Sequence, residues 1–570
     1  MREGVTLNSG CGKNGKWTLS ASLIVLLASA AWCEVSPGRA LEIVSRLTSD
    51  RNRDSQTWSR DRSALKAEAR LNWPQYSEAE KRLLEPLLSR PTESDLPESL
   101  VSPSARFKIH YTLEGGDAAT PEFIAEVAAA FDQVYDFEIN RLGYRPPPSD
   151  FGLAGPEYDV YVHDIPDYGA TISEYPSGES DRPSGYSSWT EIDNDFTHTP
   201  TKGIPAMKVT AAHEFFHMIQ VGYRDWDLYP IDTRFLYEMC STWMEDQAYP
   251  EVNDYFYSLS AYFDAADLPF NTFNGMHEYG ISVFNFMLEK KYGPGVIRRI
   301  WEIHTRESNP FSALDRALSE NGSQLSIEFA DFSIWNLFTA DNADTARFYT
   351  EGDHYPGIRA TDSYPFNQTL TFSGHSPPLS SKFYRIHAQT AGTLTVWPSF
   401  ESPFLWICSA VVLPPDNAGY WEMTSGNQSQ SLSLSSRSAE VWLVPTYTQW
   451  PSGNNGQRRD DFQITLNHIP APSRDQAIVG VAPNPYLPDR HSYAEVRFYL
   501  NQPSERVEVL ITDENGRRIR RARMGRVAEG YNAFRWDGLD GQGYEAASGV
   551  YLFYIESDQI LGPAKLALIR

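Results

Sequence analysis

Cysteine is scarce in this sequence, and the few cysteines lie far apart. Four occur among 570 residues, at Cys11, Cys33, Cys240 and Cys408, and none belongs to a Cys-x-x-Cys pair. The spacing is not that of a disulfide framework, and it gives no indication of a cysteine-bound zinc. Because Cys11 and Cys33 lie in or beside an apolar N-terminal segment, Cys240 and Cys408 remain as the mature pair. We expect these two distant cysteines to be free and buried.

Positive charge is also in short supply. The chain has 49 Lys and Arg against 74 Asp and Glu, which gives a formal net charge of -25. An electrostatic term of this sign opposes binding to nucleic acid or to an anionic membrane, so neither is expected as a partner. The acidity fits a soluble protein that works outside the cell.

Several familiar catalytic patterns are missing. The sequence has no Ser-His-Asp nucleophile elbow, no Walker loop, no Rossmann glycine pattern and no tandem repeat. Asp and Glu are numerous, but nothing singles out the two carboxylates of a glycosidase.

Long apolar runs are confined to the N-terminus. Lys13 and Lys16 precede an apolar run over residues 19–31, and small residues at 28–30 offer a cleavage site. The run is too short for a comfortable membrane-spanning helix. This pattern predicts a secretory signal peptide over residues 1–33 and a secreted or cell-surface location.

The remaining length is too great for one hydrophobic core, and its character changes along the chain. Residues 34–104 are charged and leucine-spaced, and Pro91, Pro97 and Pro103 mark a linker at their end. Residues 107–111 and 158–162 have the pattern of strands, and helical patterns follow to about residue 340. Beyond about residue 360, short strands alternate with Pro, Gly, Asn and Ser turns.

We therefore predict a multidomain protein with an α+β zincin-like catalytic domain, a β-sandwich and a C-terminal Ig-like β-sandwich. Whether its N-terminal extension is a pro-segment stays open. The predicted units are a signal peptide at 1–33, a helical N-terminal extension or pro-segment at 34–104, a zinc metallopeptidase domain at 105–355, a β-sandwich at 356–470 and an Ig-like sorting or attachment domain at 474–570.

One motif carries recognisable chemistry, His213-Glu214-Phe215-Phe216-His217. On a helix, positions i and i+4 lie on one face, so both imidazoles can bind one ion. Residues 208–220 contain no Gly or Pro, which favours that helix. A catalytic zinc needs three protein ligands and one open position. Glu214 can reach this position, take a proton from a water molecule and pass it to the leaving amine.

The third ligand is expected on the next helix. Residues 235–246 have a helical pattern with three acids, Glu238, Glu245 and Asp246. A loop after His217 can fold this helix back beside the first, and Glu238 is the predicted zinc ligand because Glu245 lies two turns further along the same face. Glu245 or Asp246 could instead accept a hydrogen bond from a ligand histidine. Acidic loops such as 193–195 (Asp-Asn-Asp) could bind calcium, although most such clusters are solvated turns.

Transition-state stabilisation needs a further donor near the metal. The segment Met276-His277-Glu278-Tyr279-Gly280 offers His277 and Tyr279 for this role. Packing at the start of a helix would explain both residues equally well.

Residues 207–220, which include the motif, resemble a family of secreted bacterial metallopeptidases. The likeness covers roughly residues 105–345 and includes 159–162, 192–196 and 238–246. Where that family has Gly and Thr after the first Glu, this chain has Met239 and Cys240, while all the acids are kept. The resemblance implies zinc as cofactor and a protein or peptide as substrate, and the peptidase label of the family itself rests on its motif.

The C-terminal part resembles the Ig-like domain of flagellar hook-capping proteins and the sorting domains of type IX secretion. The matching segments are 482–486, 513–516, 536–538 and 548–551. Asn515-Gly516 suits a tight hairpin turn, and Trp536 is a natural core residue. The resemblance implies contact with outer-membrane secretion machinery or attachment to the cell surface, and a plain stabilising or binding domain is the alternative.

The sequence thus predicts a secreted zinc endopeptidase with Glu214 as general base. One alternative is a surface adhesin or binding protein whose catalytic domain is inactive and whose β-domains do the work. Another is hydrolysis of a non-peptide bond by the same residues.

Overall fold

The computed structural model describes most of the chain after its N-terminus. The described residues are 39–48, 66, 69–70, 72–225, 233–366, 369–388, 392–413, 420–434, 440–450, 459–470, 478–500, 503–557 and 560–570. The predicted signal peptide therefore lies outside them. None of the helices in these ranges combines the length and apolarity needed to cross a bilayer.

Helices dominate the first two thirds of the described chain. They are α1 (Arg39–Thr48), α2 (Glu78–Leu88), α3 (Pro121–Tyr135), α4 (Gly203–Tyr223), α5 (Phe235–Ala248), α6 (Phe256–Phe263), α7 (His277–Gly280), α8 (Val283–Tyr292), α9 (Gly295–His304), α10 (Pro310–Glu320) and α11 (Leu325–Trp335). A π-helical turn, Asp136–Arg141, continues α3.

A five-stranded sheet lies among these helices. Its strands are β1 (Glu98–Val101), β2 (Phe107–Tyr111), β3 (Tyr158–His163), β4 (Gly169–Pro176) and β5 (Tyr186–Asp193). Their spatial order is β1-β2-β3-β5-β4, in which β2, β3 and β5 are parallel and the two outer strands are antiparallel. Strand β4 therefore forms one edge of the sheet.

The alternation of side chains along β3 assigns the two faces of this sheet. Val160 and Val162 belong to the large core that includes α3, α4 and α5, whereas Tyr161 belongs to a separate cluster with Trp189. Helix α4 thus packs on one face. The opposite face carries Asp159 and Tyr161, and it contacts residues from the N-terminal extension.

Buried ion pairs hold the N-terminal extension on that opposite face. Lys66 Nζ lies 2.6 Å from Glu191 Oε1, and both side chains are only 3% exposed. Arg90 contacts Asp159 and donates to Glu174 Oε1 at 2.8 Å. The predicted boundary between residues 104 and 105 falls between two paired strands, because β1 pairs with β2.

Strand β1 also differs from the linker predicted around Pro91, Pro97 and Pro103. All four of its residues are exposed. Because no face of the strand is buried, its sequence lacks the alternation of apolar and polar residues from which a strand is predicted. Backbone pairing with β2, rather than burial of side chains, gives this segment its extended structure.

Residues from 362 to 470 form two facing sheets. Their strands are β6 (Asp362–Phe366), β7 (Thr369–Ser376), β8 (Ser380–Ser381), β9 (Tyr384–Ala388), β10 (Gly392–Phe400), β11 (Trp406–Leu413), β12 (Tyr420–Ser425), β13 (Gln430–Leu434), β14 (Glu440–Tyr447) and β15 (Asp460–Pro470). One sheet has the order β13-β10-β15-β7, and the other has β12-β11-β14-β9-β6 with β8 paired to β14.

This sandwich shares a strand surface with the helical part. Val441 and Leu443 of β14 point into the core between the two sheets, whereas Trp442 and Val444 belong to the core of the helices. Ser333 Oγ of α11 and Ser381 Oγ of β8 lie 2.7 Å apart. Alternate residues of one strand therefore serve two cores.

The C-terminal strands form a further pair of sheets. They are β16 (Ile478–Ala482), β17 (Ala494–Leu500), β18 (Ser504–Asp513), β19 (Arg518–Val527), β20 (Gly530–Trp536), β21 (Gly549–Glu556) and β22 (Ile560–Leu568). The orders are β16-β17-β20 and β19-β18-β21-β22. Trp536 is fully buried between them, and Gly516, with φ 79°, turns the chain from β18 into β19 as the sequence predicts.

The coarse prediction of a multidomain chain with helices first and β-sheets later is confirmed. Cys240 and Cys408 are both free and buried, as expected. The residues between the two predicted β-domains, 471–473, lie outside the described residues.

Candidate metal centre

The motif histidines share one face of helix α4, here called the motif helix. Its residues from 209 to 223 are all buried, because β4, β5, α3 and α5 pack around it. The rings of His213 and His217 stand 4.6 Å apart, centroid to centroid, and nearly perpendicular. The spacing of four residues thus brings both imidazoles to one point, as the sequence predicts.

Glu238 of helix α5 reaches the same point. Its Oε2 lies 3.3 Å from Nε2 of His213 and 3.4 Å from Nε2 of His217. Zinc bonds of about 2.0–2.1 Å in a tetrahedral arrangement place neighbouring ligand atoms about 3.3–3.4 Å apart. The three side chains, here called the metal triad, therefore fit the ligand set of a zinc ion.

The outer nitrogen of each imidazole is held by a separate acceptor. His213 Nδ1 lies 2.7 Å from Glu245 Oε1. His217 Nδ1 lies 2.7 Å from Gln220 Oε1, while Nε2 of the Gln220 amide donates to the Tyr237 carbonyl at 3.0 Å. With Nδ1 donating on both rings, each Nε2 presents its lone pair to the metal position.

Ser241 completes the surroundings of His217. Its Oγ lies 3.1 Å from His217 Nδ1 and 3.3 Å from Gln220 Oε1. Ser241 follows Glu238 by three positions on α5, so one helix face supplies both a ligand and a hydrogen-bond partner.

Glu214 is held beside the triad from the edge strand. Thr171 Oγ1 donates to Glu214 Oε2 at 2.7 Å, which aims the carboxylate. Gly169, at the start of β4, lies so close that a Cβ there would stand 2.8 Å from Glu214 Cγ. Any larger residue at position 169 would displace the carboxylate, so this position requires glycine.

Burial and charge set the protonation of these groups. Burial raises the pKa of Glu214 above its usual value, against the opposing influence of His217, His213 and the bond from Thr171. Burial would also raise the pKa of Glu238, but the charge of His217 and the hydrogen bonds of both histidines hold it below its usual value.

The two carboxylates that contact His213 dominate its pKa. Burial alone would lower this pKa, yet the hydrogen bonds to Glu238 and Glu245 raise it to about 10. The site is therefore an anionic pocket that favours a cation between Glu238 and the imidazoles.

A small pocket opens beside the triad. Its lining residues are Tyr168, Gly169, Val209, Thr210, His213, Glu214, Glu245 and Asp254. Tyr168 Oη donates to Asp254 Oδ1 at 3.0 Å. This bond links the residue before β4 to the loop before α6, and both line the pocket. The His213 side chain is 9% exposed, and those of His217 and Glu238 are less so, which makes the centre deeply buried.

The remaining predicted residues lie at different distances from this centre. Of the two acids proposed as partners of a histidine, Glu245 makes the contact. Asp246 faces a different cavity with Glu289 and Glu351, where burial and these neighbouring carboxylates raise its pKa to about 8.

The two residues proposed as transition-state donors lie in different surroundings. The Tyr279 ring is stacked beside His213 at a centroid distance of 6.1 Å. The His277 ring packs against Tyr262, and burial lowers its pKa to about 4. Tyr279 thus packs beside one motif histidine, and His277 occupies a core packing position.

Sequence reasoning missed several residues of the site. Gln220 lies three positions after His217 on the same helix, so helical spacing could have identified it. Ser241 could have been found in the same way from Glu238. Thr171, Tyr168 and Asp254 have no local signal, because the sheet and the α5–α6 connection bring them from distant parts of the sequence.

Comparisons with known proteins give two family matches. The model of a family of unknown function (DUF6055) matches residues 200–365, which include the motif helix and α5. The model of the FlgD Ig-like domain matches residues 488–559. No curated protein matches this sequence.

Several solved structures are similar over part of the chain. FlgD from P. aeruginosa is 28% identical over 13% of this chain and 60% of its own, with a TM-score of 0.12. PorZ, a surface component of the type IX secretion system of Porphyromonas gingivalis, is 20% identical over 19% of this chain and 14% of its own, with a TM-score of 0.13. Latent PorU from P. gingivalis is 16% identical over 37% and 19%, with a TM-score of 0.16.

This chain therefore spans about 60% of the length of the FlgD chain that it matches. The family match covers strands β17 to β21 of the C-terminal sandwich and leaves out β16 and β22. A FlgD Ig-like domain is present at the C-terminal end of the described chain.

Proposed function

We propose that this protein is a secreted zinc-dependent endopeptidase whose zinc ligands are His213, His217 and Glu238. The observation that carries the proposal is the separation of 3.3 and 3.4 Å between Glu238 Oε2 and the two Nε2 atoms. Both contacts are long for a hydrogen bond between an imidazole and a carboxylate, which usually measures about 2.9 Å. The longer separations match the edges of a zinc tetrahedron.

Each side chain then has a defined task. Zinc bound there would polarise a water molecule and a substrate carbonyl and lower the pKa of that water towards neutrality. Glu214 accepts the proton of the attacking water and donates it to the leaving amine. Thr171 aims Glu214, and Glu245 and Gln220 fix the tautomers of the two histidines.

Strand β4 supports a peptide as substrate. It is one of the two edge strands of the described sheet, its residues 169–173 are buried, and its first residue, Gly169, lines the pocket beside Glu214. An extended peptide could pair with this edge by main-chain hydrogen bonds and present a peptide bond to Glu214. This placement favours peptide hydrolysis over the hydrolysis of other bonds by the same residues.

Export and a surface role complete the proposal. The N-terminal sequence has the pattern of a signal peptide, and the C-terminal FlgD Ig-like domain resembles domains used in sorting and attachment. We therefore propose a location outside the cell or on its surface, with contact to an outer-membrane secretion machinery through the C-terminal domain.

The test compares the wild type with Glu214→Gln on unfolded casein at matched zinc content. We expect both proteins to retain zinc, because Glu214 is not a ligand, and cleavage to fall by about 100-fold or more in the variant. Glu85→Gln, an exposed glutamate on α2, serves as the matched control. Equal cleavage by both proteins would refute the role of Glu214, and zinc without cleavage in either would favour a binding protein or a non-peptide substrate.

A further inference from the structure

A second group of metal-ligating side chains lies at the end of strand β5. Asp193 is the last residue of β5, and Asp195 and His198 follow in the loop that leads to the motif helix. Their ligand atoms all lie within 4.8 Å of one another. We call these three residues the loop cluster. It shares no residue with the metal triad.

The loop cluster is buried on one side and open to solvent on the other. The Asp193 side chain is fully buried and that of His198 is only 7% exposed, whereas Asp195 is exposed at the outer end. His198 Nδ1 stands 3.6 Å from Asp193 Oδ2, beyond hydrogen-bond distance and close to the spacing of two ligands on one ion. The buried pair leaves the solvent side for Asp195 and water.

Backbone groups hold Asp193 in place. The amide of Ile165 donates to its Oδ1 at 3.1 Å, and the amides of Phe196 and Asp195 donate to its Oδ2 at 2.6 and 3.3 Å. These bonds fix the carboxylate without adding a positive charge. The two oxygens of a carboxylate offer about four acceptor sites, and these three amides use three of them, so one site is left to face a cation.

The ligand types decide which cation suits the cluster. Calcium prefers six to eight oxygen ligands, and an imidazole nitrogen is foreign to that set. One imidazole with two carboxylates, completed by water, suits zinc or a related transition-metal ion. With His198 beside the two carboxylates, the cluster suits zinc better than the calcium that the acidic loop alone could bind.

We infer that Asp193, Asp195 and His198 bind a second divalent transition-metal ion, with zinc as the best fit, outside the metal triad. The ion cross-links the end of β5 to the loop before the motif helix. Its role is structural, because the cluster lies on the loop and not in the pocket that Glu214 lines.

This loop also positions a residue of the pocket. The Asp193 amide donates to the Tyr168 carbonyl at 3.0 Å, and the Thr201 amide donates to Tyr168 Oη at 3.4 Å. The Tyr168 ring packs on Phe196 at a centroid distance of 6.0 Å. An ion on the loop cluster thus steadies the segment that holds Tyr168 beside the metal triad.

The test counts metal in the full chain after chelation and reconstitution with zinc. The wild type is expected to hold about two zinc ions, one bound by the metal triad and one by the loop cluster. Asp195→Asn combined with His198→Ala is expected to hold one, and so is His217→Ala. Asp193 is left unchanged because its backbone bonds serve the fold. His375→Ala, an exposed histidine on β7, is the matched control.

The outcomes separate the two sites. One zinc in the wild type that is lost only in His217→Ala would overturn the loop site and leave the metal triad intact. One zinc that is lost only in the Asp195 and His198 double variant would support the loop site and refute the triad. Binding of calcium but not of zinc, with loss in the double variant, would overturn the inferred ion. A zinc-dependent rise in melting temperature that is smaller in the double variant than in His375→Ala gives a second readout in support.

Discussion

Glu245 Oε1 lies 2.7 Å from His213 Nδ1, while Nε2 of the same ring faces Glu238 Oε2 at 3.3 Å. The imidazole is therefore held between two carboxylates from one helix. One of them lies at the proposed metal position, and the other fixes the ring and its tautomer.

Loss of Glu245 should weaken metal binding without removing a ligand. We expect Glu245→Ala to lower zinc affinity by about 10- to 100-fold, because His213 loses the acceptor that orients it. Competition with a chromophoric chelator measures this affinity. Glu251→Ala, an exposed acid just beyond α5, is the control, and equal affinity in the two variants would contradict the role given to Glu245.

Loss of the Thr171 hydroxyl should affect turnover more than metal binding. A hydrogen bond to a charged group contributes about 1.5–3 kcal/mol, so Thr171→Val should lower kcat by roughly 10- to 100-fold. The bond lowers the pKa of Glu214, so its removal should also shift the acidic limb of the pH–rate profile to higher pH. An unchanged profile would show that Thr171 does not act on Glu214.

The N-terminal extension should behave as part of the folded unit. Arg90→Ala leaves Asp159, Glu174 and Asp150 without the guanidinium that contacts all three, and loss of such a buried partner costs about 3–5 kcal/mol. Hydrogen exchange in β3 and β4 should accelerate accordingly. Arg82→Ala, on the exposed face of α2, should leave hydrogen exchange unchanged. Equal exchange in both variants would show that the N-terminal extension does not stabilise the sheet.

Burial of Glu138 should make the folding stability of the protein depend on pH. It is fully buried in the π-helical turn, its carboxylate oxygens have no hydrogen-bond partner among the described residues, and burial raises its pKa far above 4.5. The folded state therefore binds more protons than the unfolded state above about pH 4.5. Folding stability falls by about 1.4 kcal/mol for each pH unit above that value until the folded pKa is reached.

Glu138→Gln removes this titration. The variant should be more stable than the wild type at pH 7 in denaturant unfolding, and the difference should vanish near pH 4. Glu122→Gln, on the exposed side of α3, is the control. A difference that is independent of pH would show that a packing change, and not the charge, explains the effect.

Local spacing could predict much of the candidate centre. The positions of His213 and His217 follow from helical periodicity, and Glu238 and Glu245 share a face because they lie two turns apart on α5. The choice between Glu245 and Asp246 could not be made from the sequence, because it depends on how α5 is rotated against the motif helix.

Contacts between distant segments lay beyond sequence reasoning. Thr171 and Glu214 are separated by 43 positions, and Lys66 and Glu191 by 125, so only the folded sheet brings each pair together. His277 has the same residue type as a catalytic donor, yet it packs in a core against Tyr262. Residue type and motif neighbourhood alone could not separate it from Tyr279.

Zinc-edge X-ray absorption of the full chain, in the Asp195→Asn and His198→Ala background, tests the central claim most directly. The account predicts zinc with two imidazole nitrogens and oxygen ligands at about 2.0–2.2 Å, and one imidazole fewer after His217→Ala. A sulfur ligand near about 2.3 Å, or a spectrum that His217→Ala leaves unchanged, would contradict it.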